Sequence, residues 1–146
     1  MNLLAPIESI MTKEVVSLSP KATIADVSDI FASKRIHHIP IVGEDGGLAG
    51  IVSKSDFLFF RRGYDKALDK SVENMRLNSY TVDYIMTKGM ATVEPDTRIN
   101  VVLEIFRENL FHAVPVTQDD KLVGIVTTYD IINQLAQDAK AETAYT

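Results

Sequence analysis

Gly50-Ile51-Val52-Ser53-Lys54-Ser55-Asp56 returns later in the chain as Gly124-Ile125-Val126-Thr127-Thr128-Tyr129-Asp130. Each stretch starts with a glycine and two β-branched residues, the composition of a buried strand. Each then ends on a hydroxyl, with a carboxylate three residues later where a helix would begin. Working outward, Ile10-Met11-Thr12-Lys13 matches Ile85-Met86-Thr87-Lys88, Pro20 matches Pro95, and Ile24, Val27, Ile30 and Phe31 match Ile99, Val102, Ile105 and Phe106. His37 meets His112 and Pro40 meets Pro115. One residue is gained or lost at the Glu44-Asp45-Gly46-Gly47 loop. So many matches in order, with one indel at a turn, make the chain a duplication.

Both copies read as the same unit. Val15-Val16-Ser17-Leu18 and Met90-Ala91-Thr92-Val93 are short strand candidates closing near a proline. The apolar stripes from Ile24 and from Ile99 predict a helix in each copy. Ile39-Pro40-Ile41-Val42 and Val114-Pro115-Val116 read as strands. With Leu48–Val52 and Leu122–Val126 they form hairpins across turns at Asp45-Gly46-Gly47 and Gln118–Lys121. A second helix follows, from Phe57 to about Tyr64 in copy one, and through Ile131, Ile132, Leu135, Ala136 and Ala139 in copy two. Short leading helices are expected at Ile7–Met11 and Val82–Met86. The architecture is mixed α/β (α+β), two β-α-β-β-α repeats at 7–62 and 81–140. The linker at 63–80, with Leu68, Val72 and Met75 at helical spacing, is expected to extend copy one's second helix.

The chain has 146 residues, 46% of them hydrophobic and 24% charged, and a formal net charge of −5. One copy of about sixty residues would be marginal alone, and two can share an adequate core. The acidic balance argues against sequence-independent nucleic-acid binding, where basic surface supplies most of the affinity. With no cysteine, disulfides and thiolate zinc sites are excluded. The N-terminus carries no signal-peptide pattern, and no apolar run has the length to cross a bilayer. The expectation is a cytoplasmic protein without membrane insertion.

In each Gly-to-Asp stretch the hydroxyl and the first helix N–H groups can donate to a phosphate. An ionised Asp accepts hydrogen bonds, and two neighbouring ribose hydroxyls are matching donors. The same residues, Ser53 with Asp56 and Thr127 with Asp130, also resemble capping boxes that need no ligand, and the two readings are compatible. Ile36-His37-His38-Ile39-Pro40 and Phe111-His112-Ala113-Val114-Pro115 place imidazoles just ahead of a strand, where they could meet phosphate. Adjacent strand residues face opposite ways, so His37 and His38 do not readily share a metal, and no metal site is expected. No cysteine nucleophile, Gly-x-Ser-x-Gly elbow, phosphate-binding Walker loop or Gly-x-Gly-x-x-Gly turn is present. The duplication gives the two Asp residues similar surroundings, unlike an acid/base pair. The chain is not expected to be an enzyme.

The Ile-Met-Thr opening, the His-x-x-Pro strand and the Gly-h-h-Ser/Thr-x-x-Asp exit (h, hydrophobic), each present twice, resemble the cystathionine-β-synthase (CBS) domain. Two CBS domains in tandem form a Bateman module. The resemblance covers nearly the whole chain except the linker and the last residues. It implies a three-stranded sheet in each repeat and two repeats packed by pseudo-twofold symmetry, leaving two inter-repeat clefts. It implies regulation, energy sensing among its forms, through adenosine ligands such as AMP, ADP, ATP or S-adenosylmethionine, with no catalytic cofactor. It also implies a homodimer and a regulated partner protein. By position, Asp56 and Asp130 would accept the ribose hydroxyls. Ser53, Ser55, Thr127 and Thr128 would approach ribose or phosphate, and His37, His38 and His112 would meet phosphates. Adenine would lie near Val16, Ile39 and Pro40, or near Ala91, Val114 and Pro115. Copy two departs at Ala113, opposite His38, and at Tyr129, opposite Ser55, so two unequal sites are expected, with Asp56 the tighter. The alternative is a dimeric interaction scaffold that binds no nucleotide.

Overall fold

Thr23 opens the first helix with a capping box. Its Oγ1 accepts the Asp26 N–H at 3.3 Å, and the Asp26 carboxylate accepts the Thr23 N–H at 2.9 Å. Two N–H groups that the helix itself leaves unpaired are thereby satisfied. The computed structural model describes residues 1–62, 70–109 and 111–144. The helix Thr23 starts, α1 (Ile24–Ser33), buries Ile24, Val27 and Phe31, the expected stripe. Strand β1 (His38–Val42) pairs antiparallel with β2 (Leu48–Ser53), with His38 opposite Ser53 and Pro40 opposite Ile51. Helix α2 (Lys54–Arg62) follows without a loop. Ile39, Ile41 and Val52 are wholly buried with α1 and Phe57. Each such side chain contributes about 1.5–3 kcal/mol on leaving water.

The second copy repeats this plan. Helix α4 (Ile99–Asn109) buries Ile99 and Val102. Strands β3 (Ala113–Gln118) and β4 (Lys121–Thr127) form an antiparallel hairpin, and α5 (Thr128–Thr143) follows. Asp119 and Asp120 hold φ of 53° and 62° in its turn, the positive values that a two-residue type I′ turn requires.

The strands expected at Val15–Leu18 and Met90–Val93 shrink to single parallel bridges, Leu18 to Ile41 and Val93 to Val116. The Leu18 N–H donates to the Pro40 carbonyl at 3.1 Å, and the Val42 N–H donates to the Leu18 carbonyl at 2.8 Å. The next rung would need the Pro40 N–H to reach the Val16 carbonyl, and proline has no N–H. Pro115 blocks the rung at Ala91 in the same way. The expected three-stranded sheets are therefore two-stranded hairpins with one bridged residue each.

The leading helices are shorter than expected, 3₁₀ turns at Ile7–Ser9 and Val82–Tyr84. Helix α3 covers Lys70–Ser79. Its anchor is Leu77, 7% exposed, whereas Val72 and Met75 are 43% and 71% exposed. The helical spacing through Val72 and Met75 thus falls on a helix, which packs through Leu77 instead of that pair, and Leu68 and Tyr64 lie outside the described residues.

The chain divides into two compact units, Val16–Met90 and Met1–Val15 with Ala91–Thr146. In the first, the Ile24 N–H donates to the Tyr80 carbonyl and Ile51 exchanges backbone bonds with Thr87. In the second, the Ile7 N–H donates to the Thr97 carbonyl and Thr12 exchanges bonds with Ile125. The opening segment of each sequence copy thus folds onto the hairpin of the other copy. Among the described residues no helix is long and apolar enough to cross a membrane.

Candidate functional site

The two candidate segments of each copy meet at one place. The Lys54 N–H donates to the His37 carbonyl at 2.8 Å, and the Thr128 N–H donates to the His112 carbonyl at 3.0 Å. Strand pairing sets His38 beside Ser53 and Ala113 beside Thr127. Each unit therefore has one end where the His segment, the hydroxyl and the start of a helix come together.

At that end both aspartates are half-buried and act as caps. The Ser53 N–H donates to Asp56 Oδ2 at 3.0 Å, and the Asp56 N–H donates to Ser53 Oγ at 3.1 Å. The Thr127 N–H donates to Asp130 Oδ2 at 2.8 Å, and the Asp130 N–H donates to Thr127 Oγ1 at 3.2 Å. Thr127 Oγ1 also lies 3.1 Å from Asp130 Oδ2. The capping reading is thus real in both copies.

The other candidates are placed as follows. His37, Ser55, Ala91 and His112 are exposed. His38, Val16, Ser53, Thr127 and Thr128 are half-buried. Ile39 and Val114 are fully buried in the hydrophobic cores of their own units, and Pro40 and Pro115 are buried between neighbouring strand residues. Tyr129 is 71% exposed.

The glycines that open the motif have a local reason. A Cβ on Gly50 would stand 2.7 Å from Met86 Sδ and 2.9 Å from the Thr87 carbonyl oxygen. One on Gly124 would stand 2.6 Å from Met11 Sδ. The groups these glycines admit are thus the Met-Thr segments of the same compact unit, and the Ile-Met-Thr motif and the glycine are two halves of one contact.

Sequence reasoning missed Lys34, Arg35 and Lys54. With His37, Phe31 and Ile36 they line a cleft of ≈470 Å³ in the unit Val16–Met90. Among the described residues no carboxylate lines it. Their signal was the basic pair directly ahead of Ile36-His37-His38. In the sequence of copy two the positions matching Lys34, Arg35 and Lys54 carry Asn109, Leu110 and Thr128, none of them basic. Thr12 was also missed as a site residue. Its Oγ1 donates to Asp130 Oδ1 at 3.2 Å. Among the described residues no group of three or more His, Cys, Asp or Glu is placed to hold a metal.

Comparison with known proteins agrees with the two-repeat plan of the chain. The model of the CBS domain matches residues 7–63 and again 82–137. A 33.4 kDa protein of the ribosomal RNA operon of Thermofilum pendens is 33% identical over 88% of this chain. An uncharacterised protein of Methanocaldococcus jannaschii is 28% identical over 91%. The chain spans 43% and 44% of the lengths of these two relatives. Among solved structures, the CBS domain pair of protein MJ0100, in complex with 5′-methylthioadenosine and S-adenosylmethionine, superposes with a TM-score of 0.73 at 25% identity, covering 92% of this chain and 98% of that one. With two repeats matched across most of its length, the chain belongs to the CBS domain family.

Proposed function

We propose that this chain is a regulatory module that binds an adenosine-containing ligand and alters its contacts with a partner protein in response. The observation that carries the reading is the Asp56 end. There a half-buried carboxylate uses Oδ2 for its cap and leaves Oδ1 without a partner among the described residues. An anionic acceptor of this kind suits a ribose diol. Pro40 and Pro115 withhold the N–H that would have paired the Val16 and Ala91 carbonyls, so those carbonyls remain acceptors for an exocyclic amine near Pro40 or Pro115. Ser53, Ser55, His37 and His38 are within the same end, and the cleft of Lys34, Arg35 and Lys54 supplies cations for phosphate. At the other end the corresponding groups are Thr127, Thr128 and His112. The adenosine ligands of the MJ0100 domain pair support this ligand class, with AMP, ADP, ATP and S-adenosylmethionine as candidates. The role is sensing rather than catalysis, in a cytoplasmic protein that pairs with a second copy through apolar side chains such as Leu58 and Phe59.

Calorimetry with AMP, ATP and S-adenosylmethionine tests the proposal. A hydrogen bond to a charged group contributes about 1.5–3 kcal/mol, so Asp56→Ala should weaken binding about ten- to a hundredfold. No heat from any ligand, or unchanged affinity in both Asp56→Ala and Asp130→Ala, refutes it.

A second reading is a scaffold that binds no nucleotide, favoured by the fact that both caps are complete without one. Ligand at a hundred times its Kd stabilises a binder by about 2.7 kcal/mol. A scaffold's melting temperature would not move.

A further inference from the structure

The two aspartates differ in how many donors they already hold. An ionised carboxylate offers about four lone-pair sites. Asp130 accepts the Thr127 N–H at 2.8 Å and Thr127 Oγ1 at 3.1 Å on Oδ2, and Thr12 Oγ1 at 3.2 Å on Oδ1. Asp56, among the described residues, accepts the Ser53 N–H at 3.0 Å alone. A ribose diol brings two donors. Asp56 has room for both, whereas Asp130 has room for one until a donor leaves.

Thr12 is the donor that can leave. The Thr127 groups belong to the cap of α5, and withdrawing them unpicks the helix start. Thr12 is exposed, and its backbone stays bridged to Ile125 by bonds of 2.8 and 3.0 Å, so a turn about its Cα–Cβ bond frees the oxygen. Thr87 is its internal control. It makes the same two backbone bonds to Ile51, at 2.8 and 3.0 Å. Among the described residues its hydroxyl makes none to Asp56.

Taking the ribose-binding role of the aspartates proposed above, we infer that Thr12 is a specificity-determining residue that closes Asp130 to the second ribose hydroxyl. The Asp56 end takes the diol in full. The Asp130 end takes it weakly, and discriminates little between ribose and 2′-deoxyribose, because its second acceptor is already engaged.

The experiment reads the Asp130 end alone, by measuring AMP and 2′-deoxy-AMP binding in an Asp56→Ala background with and without Thr12→Val. Asp56→Asn, which keeps a cap acceptor, replaces Asp56→Ala if that protein does not fold. Valine keeps the shape and removes the donor. The expected result is AMP bound about three- to tenfold more tightly with Thr12→Val, and a larger preference for AMP over its 2′-deoxy form. Thr87→Val in an Asp130→Ala background should change neither. A merely structural Thr12 would move the melting temperature and leave the ribose preference where it was, which overturns the inference. So does Thr12→Val protein that binds AMP no better than its parent, including a parent that binds none. If the wild type itself binds no nucleotide, the nucleotide reading fails first, and Thr12 has nothing to close.

Discussion

Replacing Gly50 with alanine adds one methyl group where the fold has left no room, and Gly124→Ala is its matched control. At Gly50 the new Cβ would meet Met86 Sδ at 2.7 Å, the Thr87 carbonyl oxygen at 2.9 Å and Met86 Cγ at 3.0 Å. At Gly124 it would meet Met11 Sδ, Cε and Cγ at 2.6, 2.9 and 3.1 Å, side-chain atoms in every case. A methionine thioether turns aside at small cost. A backbone carbonyl does not, and this one accepts the Ile51 N–H at 3.0 Å. Overpacking costs about 1–3 kcal/mol, and weakening that hydrogen bond adds about 0.5–1.5 kcal/mol. Gly50→Ala should therefore destabilise by about 1.5–4.5 kcal/mol, and Gly124→Ala by less than about 1.5 kcal/mol. For a chain of this size that is a fall in Tm of about 3–18 °C against less than about 6 °C. Thermal and urea unfolding followed by circular dichroism measure both. The double variant Gly124→Ala/Met11→Ala should lose less than the sum of its parts, because the added methyl occupies space the methionine vacates. Gly50→Ala/Met86→Ala should keep most of its penalty, since the Thr87 carbonyl remains. Gly124→Ala falling as far as Gly50→Ala would refute the reasoning.

Two further outcomes follow from other parts of the molecule. Asp138 lies 2.7 Å from the Met1 α-ammonium and accepts from Gln134 Nε2 at 3.0 Å. The hydrogen bond from the ammonium, then that from Gln134, hold its carboxyl below the usual carboxylate range. A depressed folded-state pKa stabilises above the unfolded value, and the benefit vanishes as pH falls through the folded one. Asp138→Asn should thus lower Tm at neutral pH, and the gap to wild type should close on acidification; a gap independent of pH refutes the ion pair. The proposed second copy is read by light scattering. Leu58 and Phe59 on α2 are 43% and 76% exposed, and Ile132 and Leu135 on α5 are 62% and 50% exposed. A dimer at micromolar concentration is expected, and Phe59→Lys with Ile132→Lys should yield monomers; a wild-type monomer refutes the pairing.

Much of the candidate site's local structure was legible because its parts are local. A cap spans four residues, so Ser53 with Asp56 and Thr127 with Asp130 can be read from spacing alone. The same logic would have found Thr23 with Asp26. Phe57 to Phe60 was only half legible. A run of apolar residues says that some face is buried, and the fold divided it: Phe57 is 4% exposed in the core, Phe60 stacks edge-on with Tyr80 at 5.6 Å, and Leu58 and Phe59 face outward. Leu77 was missed because its partners, the α1 core residues, are remote in sequence.

By itself the sequence determined the duplication, the α+β class, both hairpins, the stripes of α1 and α4 and the caps at Asp56 and Asp130. Each rests on a periodicity or a spacing within a few residues, where backbone geometry leaves little choice. Only the tertiary structure decided which opening segment belongs to which unit. The two Ile-Met-Thr segments are nearly identical, and periodicity states that Ile7 and Val82 need burial without saying which hairpin buries them. The fold seats Met11 against Gly124 and Met86 against Gly50. It thereby brings Thr12 to Asp130, a long-range contact that no local pattern encodes.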